Sequence, residues 1–165
     1  MAHLDAAYNL ARWLAPDERD AEDVVQEACL RAFRFFDSFH GGNARAWLLA
    51  IVRNTYYTWL EKNRSQALNV AFDEETIAAV ESAMATSGDS VEQLLQQEDT
   101  RRLIHRALDQ IPVEFREIIV LRELEDLSYR DIAQIANIPL GTVMSRLSRA
   151  RKLLLQALQK TGKKA

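Results

Sequence analysis

A chain of 165 residues, of which 48% are hydrophobic and 27% charged, is long enough for one domain or two small ones with packed cores. Five glycines, three prolines and the lack of any sustained alternation of apolar and polar residues exclude a β-rich protein, so the expected fold class is all-α. No apolar run approaches the ~18 residues of a membrane span, and we expect no membrane insertion. The single cysteine, Cys29, excludes an internal disulfide and is interpreted as a buried structural thiol in a reducing cytoplasm.

Charge is segregated along the chain, although the net charge is only −3. Residues 1–65 carry 8 basic and 9 acidic side chains, residues 66–99 carry no basic and 8 acidic ones, and residues 100–165 carry 13 and 7. Residues 138–165 alone hold seven basic groups and no acidic group, which is typical of a surface that binds nucleic acid. The pattern predicts a helical block at 1–65, an acidic linker at 66–99 and a second helical block at 100–165.

Two helices separated at Pro16 are predicted at the start of the first block. The first is marked by apolar residues at helical spacing, namely Leu4, Ala7, Ala11 and Leu14. The second covers roughly residues 20–37, where carboxylates in the first turn suit the positive end of the helix dipole. The side of this helix that we expect to be buried consists of Val25, Ala28, Cys29, Ala32, Phe33 and Phe36.

The other side of the second helix is polar except for one leucine. It consists of Asp23, Gln26, Glu27, Leu30, Arg31 and Arg34. Taken alone, this side is most simply a solvated helix face. A metal site is not predicted there, because the carboxylates match no ligand loop and no histidine is near.

A loop at residues 37–43 leads into a third helix at about residues 44–63. We expect Phe39 and His40 in this loop to be accessible to partners, although His40 alone is more simply an incidental histidine than a catalyst. The third helix interleaves aromatic residues with cations and amides, namely Trp47, Tyr56, Tyr57 and Trp59 with Arg45, Arg53, Asn54 and Lys62. Such a mixture is typical of surfaces that stack unpaired bases, but an aromatic core with solvated arginines fits the composition equally well.

The acidic segment at residues 66–99 is predicted to be a tether, with a short helix suggested by Ile77, Val80 and Met84. After it, a helix from Leu103 to Ile111 is expected to stop at Pro112, which can open the next helix. The core side of that next helix consists of Phe115, Ile118, Ile119, Leu121 and Leu124. His105 is interpreted as a surface or core-edge residue. The sequence does not decide whether the two blocks pack together.

Residues 128–152 predict a helix-turn-helix. Ser128 can cap a short helix, with Asp131 completing a capping box, and Asn137 suits a left-handed helix end. A second helix begins near Leu140 and carries one apolar stripe, made of Val143, Leu147, Ala150 and Leu154. A second stripe holds only hydrogen-bonding or cationic groups, namely Thr142, Ser145, Arg146, Arg149 and Lys152. These two stripes favour a DNA-binding motif over an ordinary solvated helix pair.

With both blocks in view, the sequence resembles the extracytoplasmic-function (ECF) subfamily of bacterial RNA polymerase sigma factors. Residues 20–36 resemble the family's region 2.2, residues 43–64 its regions 2.3 and 2.4, and residues 121–154 its region 4. The resemblance implies a cytoplasmic protein with two small helical domains, the second containing four helices. Its implied partners are core RNA polymerase, through the β′ coiled coil and the β flap, promoter DNA and an anti-sigma factor.

The resemblance also implies roles for individual residues. The β′ coiled coil of the polymerase would contact Asp23, Gln26, Glu27, Leu30 and Arg31. The melted −10 element would be bound by Phe39, His40, Asn43, Arg53, Asn54, Tyr56 and Tyr57. The −35 element would be read by Ser145, Arg146 and Arg149, with Arg130, Thr142 and Lys152 nearer the phosphates. Met144 replaces a cation common in the family and Thr58 replaces a common aspartate, which leaves the base preferences open.

Two other classes of function fit parts of the sequence less well. A helix-turn-helix regulator with a ligand-sensing first block should offer an apolar cavity there. An enzyme should show a nucleophile–base pair, a phosphate loop or metal-ligand spacing, and none of these is visible. We therefore predict no catalytic residues, no cofactor and no metal.

Overall fold

A computed structural model describes residues 3–63 and 91–163 of the chain. Seven α-helices follow one another in these ranges, and no strand occurs in them, which confirms the all-α fold class. The helices are α1 (Leu4–Leu14), α2 (Glu18–Arg34), α3 (Ala44–Lys62), α4 (Val91–Asp109), α5 (Val113–Ile119), α6 (Tyr129–Ala136) and α7 (Leu140–Lys163). A 3₁₀ turn at Phe36–Ser38 follows α2, and a π-helical turn at Val120–Leu124 extends α5. None of the helices in the described ranges is long and apolar enough to cross a membrane.

Side-chain caps fix the starts of three helices. Asp17 Oδ1 accepts a hydrogen bond from the Asp20 N–H at 2.8 Å, and Asn43 Oδ1 accepts one from the Ala46 N–H at 3.1 Å. Ser128 Oγ accepts one from the Asp131 N–H at 3.1 Å, as the capping prediction required. Each cap satisfies a backbone donor that has no partner within its own helix.

The helix-turn-helix forms as the sequence predicted. Asn137 ends α6 in the left-handed region, with φ of 54° and ψ of 51°. The Ile138 N–H then donates to the Ala133 carbonyl oxygen at 3.0 Å, which closes the end of the helix. On α7 the apolar stripe is buried at Val143, Leu147 and Ala150. The turn and the stripe together fix α7 against the rest of the C-terminal block.

Two predictions about individual elements were wrong. Helix α4 begins at Val91, twelve residues before the expected start and inside the segment assigned to the tether. Residues 91–109 contain no glycine or proline and are rich in good helix formers, so nothing local stops the helix. The short helix suggested by Ile77, Val80 and Met84 lies outside the described residues.

The second correction concerns the core sides of two helices. Leu124, assigned to the core side of the helix after Pro112, is 39% exposed. The larger difference is on α2. Ala21, Val24 and Ala28 are its buried residues, whereas Phe33 is 83% exposed and Phe36 is 65% exposed. Phe33 lies five residues after Ala28, which rotates it well away from the buried face of a 3.6-residue helix. Val25, Cys29 and Ala32 are half-buried, so Cys29 lies at the edge of the core rather than in its centre.

The two helical blocks pack against each other and share one hydrophobic core. Buried residues run continuously from Ala7 in α1 to Ala157 in α7. Helix α1 contacts α4 and α5 of the second block, and α3 contacts α6. This packing places the third helix of the first block directly beside the helix-turn-helix block.

Candidate nucleic-acid interface

The polar and basic stripe predicted on the last helix lies on the outside of the molecule. Ser145, Arg149 and Lys152 are exposed on α7, Arg130 is exposed on α6, and Thr142 and Arg146 are half-buried on α7. The Arg149 guanidinium lies 5.4 Å from the centroid of the Phe115 ring, a cation–π contact that orients it. Five of the six residues predicted to bind the −35 element are therefore on one helix, and most are accessible.

The outer side of α2 is also accessible. Asp23, Gln26, Glu27 and Leu30 are exposed, and Arg31 is half-buried with its Nε 3.2 Å from Glu27 Oε1. Phe33 follows Leu30 by three positions and Gln26 by seven, so it extends the same stripe. Sequence reasoning missed Phe33 by assigning it to the core, although this spacing was visible.

The loop before α3 is held by aromatic contacts and a helix cap. The Phe39 ring lies 5.2 Å from the Trp47 ring and is half-buried, whereas His40 is exposed. Gly41 and Gly42 have φ of +91° and +98°, a conformation that residues with a side chain rarely adopt. Asn43 caps α3 through its Oδ1 and also donates from Nδ2 to Asp131 Oδ2 at 3.3 Å, which ties the loop to α6.

Arg53, in the middle of α3, is held by a carboxylate of the other block. Its Nε donates to Glu117 Oε2 at 2.7 Å and its Nη2 donates to Glu117 Oε1 at 3.2 Å, so the contact is bidentate. Its Nη1 donates to Asn54 Oδ1 at 3.1 Å, while Asn54 itself is exposed. The guanidinium also lies 4.1 Å from the centroid of the Tyr57 ring. In this arrangement Glu117 holds the guanidinium edge that a phosphate would need.

Glu117 is fully buried, and this burial raises the pKa of its carboxyl group, while Arg53 opposes the rise. Burial, followed by the nearby Glu117 carboxylate, likewise raises the pKa of the half-buried Tyr57 hydroxyl. The sequence did contain a pattern that could have indicated a buried, paired carboxylate at Glu117. This acidic residue stands three positions before Val120 and four before Leu121, two apolar residues at helical spacing from it.

Tyr56 is part of the core of the packed molecule. It is 2% exposed, and its ring stacks on Trp59 at 5.7 Å. Arg116 Nη1 donates to the Tyr56 hydroxyl at 3.4 Å and to the Leu14 carbonyl oxygen at 2.9 Å. Tyr56 cannot contact DNA in this arrangement, so its assignment to the −10 element stays a prediction.

A second ion pair between the blocks involves Arg45 at the start of α3. Its Nη2 donates to Glu125 Oε2 at 2.8 Å and to the Glu125 carbonyl oxygen at 3.0 Å. Glu125 is buried, and burial raises its pKa while Arg45 opposes the rise. Neither partner was assigned a role from the sequence.

His105 lies where the blocks meet rather than on a free surface. Its ring stacks on Trp13 with centroids 5.5 Å apart and an interplanar angle of 26°. Its Nδ1 lies 3.5 Å from Asp109 Oδ2, and its Nε2 contacts the Arg12 carbonyl oxygen. The hydrogen bond to Asp109, and then that to Arg12, raises the pKa of His105.

A cleft of about 460 Å³ lies beside this contact, between α1 and α4. Its lining is mostly charged and includes Arg12, Arg101, Arg102 and Arg106. A ligand-responsive regulator would need an apolar sensing cavity, and this cleft does not provide one. Among the described residues, no group of three or more His, Cys, Asp and Glu side chains is placed to hold a metal ion.

Comparison with known families agrees with this geometry. Residues 1–66 match the family described as Sigma-70 region 2, and residues 101–154 match the family described as Sigma-70, region 4. The ECF RNA polymerase sigma-E factor of Escherichia coli strain K12 is 37% identical over 147 residues, covering 85% of this chain and 74% of that protein. The ECF RNA polymerase sigma factor SigE of Mycolicibacterium smegmatis is 32% identical over 161 residues, covering 96% of this chain and 59% of that protein.

Solved structures are similar as well. The sigma factor RpoE, in complex with the anti-sigma factor NepR from Bartonella quintana, aligns with a TM-score of 0.70 and 31% identity. That alignment covers 96% of this chain and 92% of the other. CnrH, in complex with the cytosolic domain of CnrY, shares the fold with a TM-score of 0.64 at 23% identity.

A helix-turn-helix block and an aromatic-basic helix block, each matching a sigma-70 region, define a transcription initiation factor that recognises promoters. Within that class, the chain belongs to the extracytoplasmic-function RNA polymerase sigma factors. This membership confirms the resemblance found in the sequence.

Proposed function

We propose that this sigma factor directs promoter recognition through three surfaces, of which two lie in segment 1–65 and one in segment 100–165, with 66–99 as the acidic linker between them. The first surface is the outer side of α2, the second is the helix-turn-helix of α6 and α7, and the third is α3 with the loop before it. The observation that carries the proposal is the exposed stripe of Ser145, Arg149 and Lys152 on the second helix of a well-formed helix-turn-helix.

The helix-turn-helix would read the −35 element in the major groove. Arg149 and Arg146 offer the planar fork that pairs with the O6 and N7 atoms of guanine, and Ser145 offers a hydroxyl. Arg130, Thr142 and Lys152 would hold phosphates and set the register without reading sequence. Met144, which is 55% exposed on the same helix, would place an apolar contact where a thymine methyl group can be read.

The outer side of α2 would bind the β′ coiled coil of core polymerase. Asp23, Gln26, Glu27 and Arg31 supply polar contacts around two exposed apolar side chains, Leu30 and Phe33. An aromatic anchor surrounded by polar groups is the usual composition of an interface hot spot. The C-terminal block would contact the β flap of the same polymerase.

The loop and α3 would bind the melted −10 element as a single strand. Phe39, His40 and Asn43 lie in the loop, and Arg53, Asn54, Tyr56 and Tyr57 lie on α3. Aromatic rings stack unpaired bases, and cations hold the backbone that connects them. Extrusion of one base into a protein pocket would stabilise the opened duplex.

In this proposal the protein acts in the cytoplasm and catalyses no reaction itself. The polymerase carries out bond formation. An anti-sigma factor is a further proposed partner. It is supported by RpoE, which is 31% identical to this chain over nearly its whole length and was solved with NepR.

Run-off transcription tests the proposed function. Core polymerase with this protein should transcribe a reproducible subset of genomic DNA fragments, and those transcripts should share paired −35 and −10 motifs upstream of their start sites. Core polymerase alone is the control. Failure of the protein to bind core polymerase, or transcripts without a shared upstream motif, would contradict the proposal.

A further inference from the structure

The charged cleft between α1 and α4 holds more cations than anions. The α4 residues that line it recur every three or four positions, so they lie along one side of that helix. These residues are Glu98, Arg101, Arg102, His105, Arg106 and Asp109. Helix α1 adds Arg12. Among the described residues that line the cleft, four are therefore arginines and only two are carboxylates.

Both carboxylates of the cleft are already paired within α4. Glu98 Oε1 lies 3.6 Å from Arg102 Nε, and Asp109 Oδ2 lies 3.5 Å from His105 Nδ1. Three arginines of the cleft have no carboxylate partner within the described ranges, namely Arg12, Arg101 and Arg106. The positive charge of the cleft is thus only partly neutralised by the protein.

The half-buried side chain of Arg12 lies beside another hydrogen-bond donor. Its Nη1 is 3.3 Å from His105 Nε2, which also contacts the Arg12 carbonyl oxygen. A carbonyl oxygen only accepts hydrogen bonds, so Nε2 must carry a proton in that contact and cannot also accept from the guanidinium. The Arg12 guanidinium therefore lacks an acceptor at this position, and an anion in the cleft would supply one.

We propose that this cleft binds an oligophosphate anion, whose chain would lie between Arg12 on α1 and the arginines Arg101 and Arg106 on α4. Guanidinium groups bind phosphate oxygens through paired N–H donors, so a chain of several phosphates can contact arginines of both helices at once. The cleft volume of about 460 Å³ falls within the range of small-molecule sites, roughly 300–1,000 Å³. Inorganic tripolyphosphate and a nucleoside triphosphate share this chemistry. The site is separate from the three surfaces of the proposed function and does not depend on them.

Isothermal titration calorimetry of the full-length protein with tripolyphosphate tests the site. The wild-type protein should bind tripolyphosphate, and inorganic phosphate at the same ionic strength should bind at least about tenfold more weakly, because it reaches fewer arginines. Arg101→Gln combined with Arg106→Gln should weaken tripolyphosphate binding by about tenfold. Both side chains are exposed, so circular dichroism and thermal unfolding without ligand should stay unchanged.

The matched control is Arg149→Gln combined with Lys152→Gln. It also removes two exposed cations, but from the basic stripe of α7, and it should bind tripolyphosphate as the wild-type protein does. Thermal unfolding gives an independent readout. Saturating tripolyphosphate should raise the melting temperature of the wild-type and control proteins, because a ligand that binds only the folded state stabilises it.

ATP carries the same triphosphate chain and distinguishes the two sources of the ligand. An affinity equal to that of tripolyphosphate would support recognition of the chain alone, and tighter binding of ATP would support a nucleotide whose base lies against Tyr8, a half-buried ring in the lining of the cleft. No binding of tripolyphosphate or ATP would overturn the proposal. So would equal affinities for phosphate and tripolyphosphate, or a loss of binding in the α7 control as large as that in the α4 variant.

Discussion

In the proposed function, sequence reading by the helix-turn-helix would depend most on Arg149. It is exposed on α7, and the Phe115 ring orients its guanidinium at 5.4 Å. A planar fork held in one orientation can distinguish guanine from the other bases, whereas a lysine ammonium acts mainly as a charge.

We expect Arg149→Ala to weaken binding to a −35 duplex by ~1–3 kcal/mol and to relax the base preference at one position. Lys152→Ala is the matched control and should weaken all duplexes equally while lowering the salt dependence. Anisotropy titrations against single-base variants of a promoter obtained by run-off transcription measure both effects. An unchanged base preference in Arg149→Ala would show that this residue does not read sequence.

His105 is the residue that should make the packed arrangement sensitive to pH. Asp109 and the Arg12 carbonyl oxygen raise its pKa above the ordinary 6.5, so the folded protein holds the proton more tightly than the unfolded chain. The stabilisation of the folded protein by the proton on His105 is fully present below pH 6.5, and it is lost as the pH rises through the raised pKa. Urea unfolding of the wild-type protein should therefore show a free energy of unfolding that falls over this window.

The Asp109→Asn variant should show a shallower fall, because it removes the largest cause of the raised pKa. His105→Phe keeps the stacking on Trp13 and should abolish the contribution of this group to the pH dependence. If His105→Phe unfolds with the same pH dependence as the wild-type protein, the proton on His105 does not contribute to stability.

At the scale of helices, local sequence patterns predicted most of the fold. The cap at Ser128, the left-handed Asn137 and the stripe of Val143, Leu147 and Ala150 depend only on residues a few positions apart. Those signals placed α6 and α7 correctly. The start of α4 was missed because residues 91–99 were assigned to the acidic tether, although they contain no helix-breaking residue.

Helix α2 shows what such patterns leave undecided. An aromatic residue at helical spacing fits a core side and an interface side equally well, and the rotation of α2 against α1 and α3 decides between them. That rotation buries Ala21, Val24 and Ala28 and exposes Phe33.

We expect Phe33→Ala to weaken binding to core polymerase by about 2 kcal/mol, the typical cost of losing an aromatic hot spot. Because Phe33 is exposed, helicity and thermal unfolding should change little. Gln26→Ala combined with Glu27→Ala should weaken binding in the same assay, and Asp5→Ala on α1 is the exposed control. Unchanged affinity in Phe33→Ala would place the polymerase contact elsewhere, and loss of helicity would indicate a structural role.

At the scale of the whole molecule, the contacts that matter most join residues far apart in the chain. Arg53 and Glu117 are separated by 64 positions, Arg45 and Glu125 by 80, and Asn43 and Asp131 by 88. No periodicity or spacing connects such pairs, so the sequence predicted candidate surfaces but not which of them the packing covers. Among the residues predicted to bind the −10 strand, Tyr56 is buried by this packing, whereas His40 and Asn54 are exposed.

Whether α3 opens promoter DNA is measured most directly by permanganate oxidation of unpaired thymines in a complex with core polymerase and a promoter obtained by run-off transcription. The wild-type protein should produce reactive thymines in the −10 element. Arg53→Ala should lose this reactivity while protecting the −35 element from nuclease as before, even though it also removes the partner of Glu117. Full thymine reactivity in Arg53→Ala, or none with the wild-type protein, would contradict the role of α3 in promoter opening.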